Sequence, residues 1–499
     1  MNVVQSVDSV ALLPAYLAAG TAVLVLITDL LVARPRATIA VAALGALGTA
    51  VGSALVGAGA ERRTFCVGAD CSWIFGGRAA LVGVVVALLT LGVLGLSVPA
   101  LRAGRSPVGE YAFLLACSMT GGVVLGAAGD LITLIVALET LTLPLYVLVG
   151  LRRGSLASAE AAVTFFVVSV VATTLTLLGG ALLYAVTGGL HLDRLGTLLA
   201  EQPELRELPL TTAAVAVLLV GLAFKVAAVP FHAWAPATYD GAPLPVAAYL
   251  STASKLGGLV ALLAVVQRAL PADQTGPVLA LLAVLTMTVG NLVALRQRRT
   301  VRLLAWSSVA QAGYILAPLG ALALAAGRTD EARSAAYAAA VAYAVFFVVL
   351  ELAAFAGLTA LRPAGADGGT LDDLRGAARR HPWRAAAFGL ALVGLAGLPP
   401  GLAGLFAKVT VVRALLDGGA AWLALVVALN AVIGLAYYLR VTAALWAPPT
   451  TPGPAAALAG DGASGVPVVG VVAVVLAVAT VAAVVLGVAP QLVLDLAAR

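Results

Sequence analysis

Charge is what this chain most lacks. Only 10% of its 499 residues are Asp, Glu, Lys or Arg, while 62% are hydrophobic. A soluble domain carries about 25% charge, so the composition excludes a water-soluble globule. The length is better filled by one bundle of membrane-spanning helices than by several soluble domains. Cysteine is scarce as well: three residues are too few for a disulfide scaffold. Cys66 and Cys71 share one loop, where they either pair in an oxidising compartment or remain separate thiols. Cys117 lies in an apolar run and reads as packing. No cysteine cluster suits iron–sulfur ligation, and no G-x-G-x-x-G follows a strand to bind a dinucleotide. No basic segment precedes the first apolar stretch, where Asp8 is the only charge. A cleaved signal peptide is therefore not expected, and the first helix should remain. The net charge of +6 does not point to nucleic acid, because the arginines lie in short loops between apolar runs.

A bilayer-crossing helix needs roughly 20 apolar residues. Runs of that kind lie near 11–33, 37–60, 79–99, 111–129, 130–150, 161–187 and 209–229. More follow near 244–269, 275–295, 301–325, 335–361, 384–417, 420–446 and 466–490, so an all-α polytopic membrane protein of about 14 helices is expected. Residues 449–465, rich in Pro, Gly and Ala, read as a flexible connection. Alternate loops collect arginine: Arg34 and Arg36, Arg102 and Arg105, Arg152 and Arg153, Arg296 to Arg302, then Arg362 to Arg384. The intervening loops collect acids, among them Asp193, Glu201, Glu204, Glu207, Asp330 and Glu331. The positive-inside rule then puts both termini, and the Cys66/Cys71 loop, outside the cytoplasm.

Lysine is the rarest charge. It occurs at Lys225, Lys255 and Lys408 and nowhere else, each time inside an apolar run. Arginine stays charged at any reachable pH, whereas a desolvated lysine can give up its proton. A chain that uses arginine throughout its loops has kept, inside the membrane, the one basic side chain able to load and release a proton. The alternative, that each lysine snorkels to an interface or neutralises an acid, is weaker for three than for one. Two carboxylates lie well inside apolar runs, Glu139 and Glu351, and an intramembrane carboxylate is a functional candidate by default. Glu351 either serves a pathway to the outer surface or pairs with an arginine. Asp29 and Asp130, near span ends, read as interfacial.

Two spans carry breaks. In GLAFKVAAVPFHAWAPATYDGAPLP, Pro230 follows Lys225 by five residues; in LVGLAGLPPGLAGLFAKVTVV, Pro399 and Pro400 precede Lys408. Proline removes a backbone donor and clashes with the preceding turn. Broken backbone at membrane depth survives only where protein or a watery cavity satisfies it. Two interrupted spans with lysines, five spans apart, suggest paired five-helix repeats of the inverted-repeat type. The expected division is 1–110 (helices 1–3), 111–270 and 271–447 (the two repeats), and 448–499 (linker and last helix).

At these residues the sequence resembles the antiporter-like membrane subunits of respiratory complex I, the bacterial NADH–quinone oxidoreductase. AFKVAAVPFHAWAPATYDGAPLPVAAYLSTASKLGGL (Ala223 to Leu259) resembles one branch of that family almost throughout; sister subunits differ after the tryptophan. NLVALRQRRTVRLLAWSSVAQAGYIL (Asn291 to Leu316) and GLPPGLAGLFAKV (Gly397 to Val409) are similar too. The resemblance implies that Glu139 and Lys225 form the family's charge pair, that Lys255 is its connecting lysine and Lys408 its terminal one. His232, in FHAWAP, matches a histidine beside the break, with hydrogen bonding to freed backbone or proton relay as its roles. It further implies a proton-translocating subunit of the bacterial plasma membrane, assembled with sister subunits. NADH, FMN, iron–sulfur clusters and quinone would belong to partner subunits. The sequence departs from the family at Gln311, where histidine is usual, at Ala237 after Pro236, and at Asp240. A glutamine holds water but does not titrate. Two rivals are a subunit of a multi-subunit cation/proton antiporter, and a scaffold whose charges only fix helix packing.

Overall fold

The computed structural model describes residues 7–104, 106–152, 154–363, 365–449 and 470–498. Arg105, Arg153 and the expected flexible connection from residue 450 onward lie outside the described residues.

Helices dominate because an apolar chain in a bilayer must satisfy each backbone group within its own segment. The chain opens with α1 (Leu13–Val32), α2 (Pro35–Gly57), α3 (Gly77–Arg102), α4 (Val108–Gly126), α5 (Leu131–Val149) and α6 (Leu156–Thr187). Eleven helices among the described residues are long and apolar enough to cross a membrane, these six included. Proline at the first turn of α1 and α2 occupies a position whose N–H has no helical partner. Asp130, read from sequence as interfacial, is buried and caps α5: its carboxylate accepts from the Thr133 amide at 2.7 Å and the Thr133 hydroxyl at 2.8 Å.

Two elements were not expected. Arg62–Val67 (β1) and Asp70–Phe75 (β2) form an antiparallel hairpin between α2 and α3, so the molecule is helical with a small sheet at one end. Its turn passes through Gly68, which takes the left-handed conformation (φ +64°) that glycine tolerates. Trp73 and Phe75 alternate inward along β2 into a small apolar cluster, and Cys66 opposite Cys71 forms a disulfide. The second is α7 (Leu192–Glu201), a short amphipathic helix that buries Leu192, Leu195 and Leu199. Arg268 donates two bonds, of 2.7 and 2.8 Å, to the Asp193 carboxylate of α7, and this holds that carboxyl below the ordinary aspartate range.

The second half begins with α8 (Pro209–Lys225), which ends at its lysine, and resumes as α9 (Trp234–Gly241) after a break containing Pro230. Then come α10 (Leu244–Arg268), α11 (Ala272–Ala294), α12 (Thr300–Leu316) and α13 (Asp330–Leu361). Within α10 one π-helical turn, Leu250–Ser254, lies immediately before Lys255. A second break separates α14 (Pro382–Ala396) from α15 (Leu402–Asp417), and α16 (Ala421–Trp446) and α17 (Gly470–Val488) close the bundle. Helices cross closely where glycine removes a side chain: a Cβ on Gly404 would lie 1.8 Å from the Gly394 carbonyl oxygen. α10 and α13 are the most buried of the long helices and form the centre of the molecule.

Candidate functional site: a buried file of lysines at helix breaks

The backbone that breaks α8 also determines how Lys225 is housed. Being the last residue of α8, Lys225 stands where carbonyl groups lack helical partners and the helix dipole favours a cation. Its ammonium donates to the Glu139 carboxylate of α5 at 2.8 Å and to the Ser169 hydroxyl of α6 at 2.8 Å. Thr173, one turn beyond Ser169, donates to the same Glu139 oxygen at 2.5 Å. Glu139 is one-fifth exposed while the lysine is buried, so the pair faces the bundle interior from the lysine side. Beside Lys225 a cavity of about 10 Å³ is lined by Ser169, Ser254 and Thr142 among others. That is room for about one water, between Lys225 and the residue preceding Lys255.

Lys255 is fully enclosed, and its ammonium donates to the Ser308 carbonyl of α12 at 2.7 Å. Near it, Glu351 of α13 is wholly buried and, among the described residues, pairs with no arginine. The arginine partner entertained from sequence is thus replaced by Ser251, whose hydroxyl donates to Oε1 at 2.6 Å and lies 3.3 Å from the Ser308 hydroxyl. The other carboxylate oxygen has no hydrogen-bond partner among the described residues. Ser251 is in the π-helical turn; α10 brings both the serine and Lys255 to this centre.

Lys408 repeats the logic of Lys225 across the second break. Its ammonium donates to the Leu395 carbonyl at 3.2 Å and, more closely, to that of Ala396, the last two residues of α14. Below it the Tyr314 ring lies 5.2 Å away, a cation–π contact. Gln311, one turn earlier on α12, donates to the same Leu395 carbonyl at 3.2 Å and to the Tyr438 hydroxyl at 3.0 Å, and accepts from Tyr343 at 2.6 Å. Tyr438 in turn bonds Ser307. A chain of hydrogen-bonding groups therefore joins the Ser307–Ser308 segment to the carbonyl that holds Lys408. Gln311, where the family pattern has histidine, is a fixed amide within that chain.

The NADH:quinone oxidoreductase/Mrp antiporter transmembrane family matches residues 128–434, which include every lysine of the file. A protein of Salinispora tropica named NADH-quinone oxidoreductase subunit N is 80% identical, over all of both chains. The chain belongs to the subunit N family of NADH–quinone oxidoreductase. That is the branch the wording after Trp234 resembled. One chain of the respiratory complex I structure from Thermus thermophilus with bound aureothin is 31% identical, with a TM-score of 0.77, covering 97% of this chain and 99% of that one. A chain of the Mrp complex from Dietzia has a TM-score of 0.80 at 23% identity, covering 97% and 96%, which shows a shared fold.

This subunit is thus a multi-pass membrane protein of the NADH–quinone oxidoreductase family. Of the residues singled out from its sequence, the structure brings Glu139 and Lys225 into contact, and gathers Lys255 with Glu351. Lys408 stands apart, linked through the Gln311 chain. His232 lies in the first break against Trp306, ring centroids 5.0 Å apart. It bonds none of the three lysines. Sequence reasoning missed Ser169, Ser251, Ser308 and Tyr438. The Ser169/Thr173 pair at helical spacing in an apolar run was the available signal. Nothing local marked the others.

Proposed function

We propose that the subunit translocates protons, coupling quinone reduction elsewhere in the complex to transfer along Glu139, Lys225, Lys255 and Lys408. The carrying observation is the 2.8 Å Glu139–Lys225 pair at the end of a broken helix, one small cavity away from the next lysine's turn. Each lysine is held by groups that tolerate either protonation state: hydroxyls, carbonyls and one carboxylate. When charge movement in a neighbouring module weakens the pull of Glu139, Lys225 releases its proton toward Lys255, and Lys255 toward Lys408. Two unit charges at roughly 4 Å interact by about 4 kcal/mol at an effective dielectric near 20, about a thousandfold in a protonation equilibrium. That range suffices to switch a buried amine between loaded and empty.

The reading includes fourteen crossings, with α8/α9 and α14/α15 as interrupted spans in two inverted five-helix repeats (111–270 and 271–447). The placement of both termini outside the cytoplasm rests on the arginine loops. NADH, FMN, iron–sulfur clusters and quinone are assigned to partner subunits, and sister antiporter-like subunits flank this one. His232 is assigned to the break rather than to the file. The test is proton pumping by the assembled complex. Lys225→Ala and Glu139→Ala should each lower the proton-to-electron ratio during NADH oxidation; an unchanged ratio in both would refute the assignment. Sodium-dependent transport without NADH or quinone would favour the cation/proton antiporter instead.

A further inference from the structure

A cavity of about 340 Å³ opens at the hairpin end of the molecule, between α3, α10 and α13. Arg78 and Arg268 stand at its rim, and its walls are apolar, with Leu259 and Leu263 from α10 and Val341 and Val345 from α13. On α10 the lining runs from Arg268 to Leu256, twelve residues or about 18 Å of helix rise, into the middle of the membrane. It stops beside the file. Lys255 lies one turn below the lining residue Leu259, and Glu351 lies two turns below the lining residue Ala344 on the same face of α13. Two lining stripes on two helices therefore converge on the wholly enclosed Lys255 and Glu351, whose partners there are the Ser308 carbonyl and the Ser251 hydroxyl. There the second oxygen of Glu351 has no hydrogen-bond partner among the described residues.

We propose that this cavity is the port through which the file releases protons to the hairpin side, with Glu351 as the group that hands them over. This rests on the lysine file being a proton carrier. In the step, the Lys255 ammonium becomes the neutral amine and the Glu351 carboxylate becomes the acid. The acid then gives its proton to water in the cavity and returns to carboxylate. The packed side chains between cavity and carboxylate, Leu256 and Val348 among them, are buried and apolar. Apolar constrictions gate by losing their water, so the port conducts only while it is wetted and otherwise isolates the file. Release thus branches off at the middle of the file, before Lys408.

The test uses the assembled complex in sealed vesicles with Val341→Cys, since labelling after assembly avoids any folding defect. A cationic thiosulfonate reagent is added from the hairpin side, with the parental complex treated identically to account for Cys117. Labelling should lower the proton-to-electron ratio of Val341→Cys by as much as Lys225→Ala lowers it, while NADH oxidation continues. A labelled cysteine with an unchanged ratio would overturn the port and leave the file standing. So would a cysteine that reacts only after denaturation, as expected of a lipid-filled or closed cavity. An unchanged ratio in Lys225→Ala itself would overturn both.

Discussion

Replacing Lys225 by arginine separates charge from proton exchange. The guanidinium can keep its bond to Glu139 but holds its proton at any reachable pH. Lys225→Arg should therefore leave the complex assembled and NADH oxidation measurable, with the proton-to-electron ratio lowered as far as in Lys225→Ala. A ratio restored by arginine would mean that the positive charge alone matters, as in a scaffold. The lysines, the two intramembrane acids and the breaks were legible because each violates the apolar rule of its surroundings. Their partners were not. A serine or threonine in a membrane helix ordinarily bonds its own backbone four residues back, as Ser97 and Thr90 do here. Nothing local distinguishes Ser251 from those, and only the spacing to Thr173 marks Ser169. The carbonyls that hold Lys408 belong to the backbone of another helix and leave no trace in residue identity.

Among the elements, the second break is the most tightly toleranced. A methyl group on Gly404 would meet the Gly394 carbonyl, which is backbone and cannot swing aside. Gly404→Ala should part α14 from α15 and lower stability by about 1–3 kcal/mol, read as a lower melting temperature in detergent. Gly48→Ala on α2 meets nothing within 4 Å and should be neutral or slightly stabilising. The breaks themselves were foreseeable from proline, whereas the hairpin was not. Six-residue strands leave a weak periodic signal beside runs of twenty apolar residues. The short α7 is anchored by Asp193, whose carboxyl Arg268 keeps depressed. Such a group stabilises above the ordinary aspartate range, and that contribution fades as pH falls through its depressed value. Asp193→Asn should cost at most about 1 kcal/mol near neutrality, since the site is partly exposed. The difference from the parent should vanish in strong acid; a difference independent of pH would assign the effect to something other than the pair.

For the whole molecule, the disulfide offers a count. Denatured without reductant, the chain should take up one alkylating label, at Cys117, and three after reduction. Three labels before reduction would place the hairpin in a reducing compartment and reverse the orientation read from the arginine loops. Mild-detergent purification should bring sister membrane subunits with the chain, and purification alone would count against assembly in a membrane arm. At this scale the apolar spans and loop charges were readable from composition, because bilayer thickness imposes them. The central position of α10 and α13 was not, because it depends on which helices meet. One further consequence follows from the way Lys408 is held. Its ammonium clasps the last two carbonyls of α14 from the far side of the break, so one side chain ties the two half-helices together. Lys408→Met removes that clasp, and the joint between α14 and α15 should then loosen, read as a lower melting temperature in detergent.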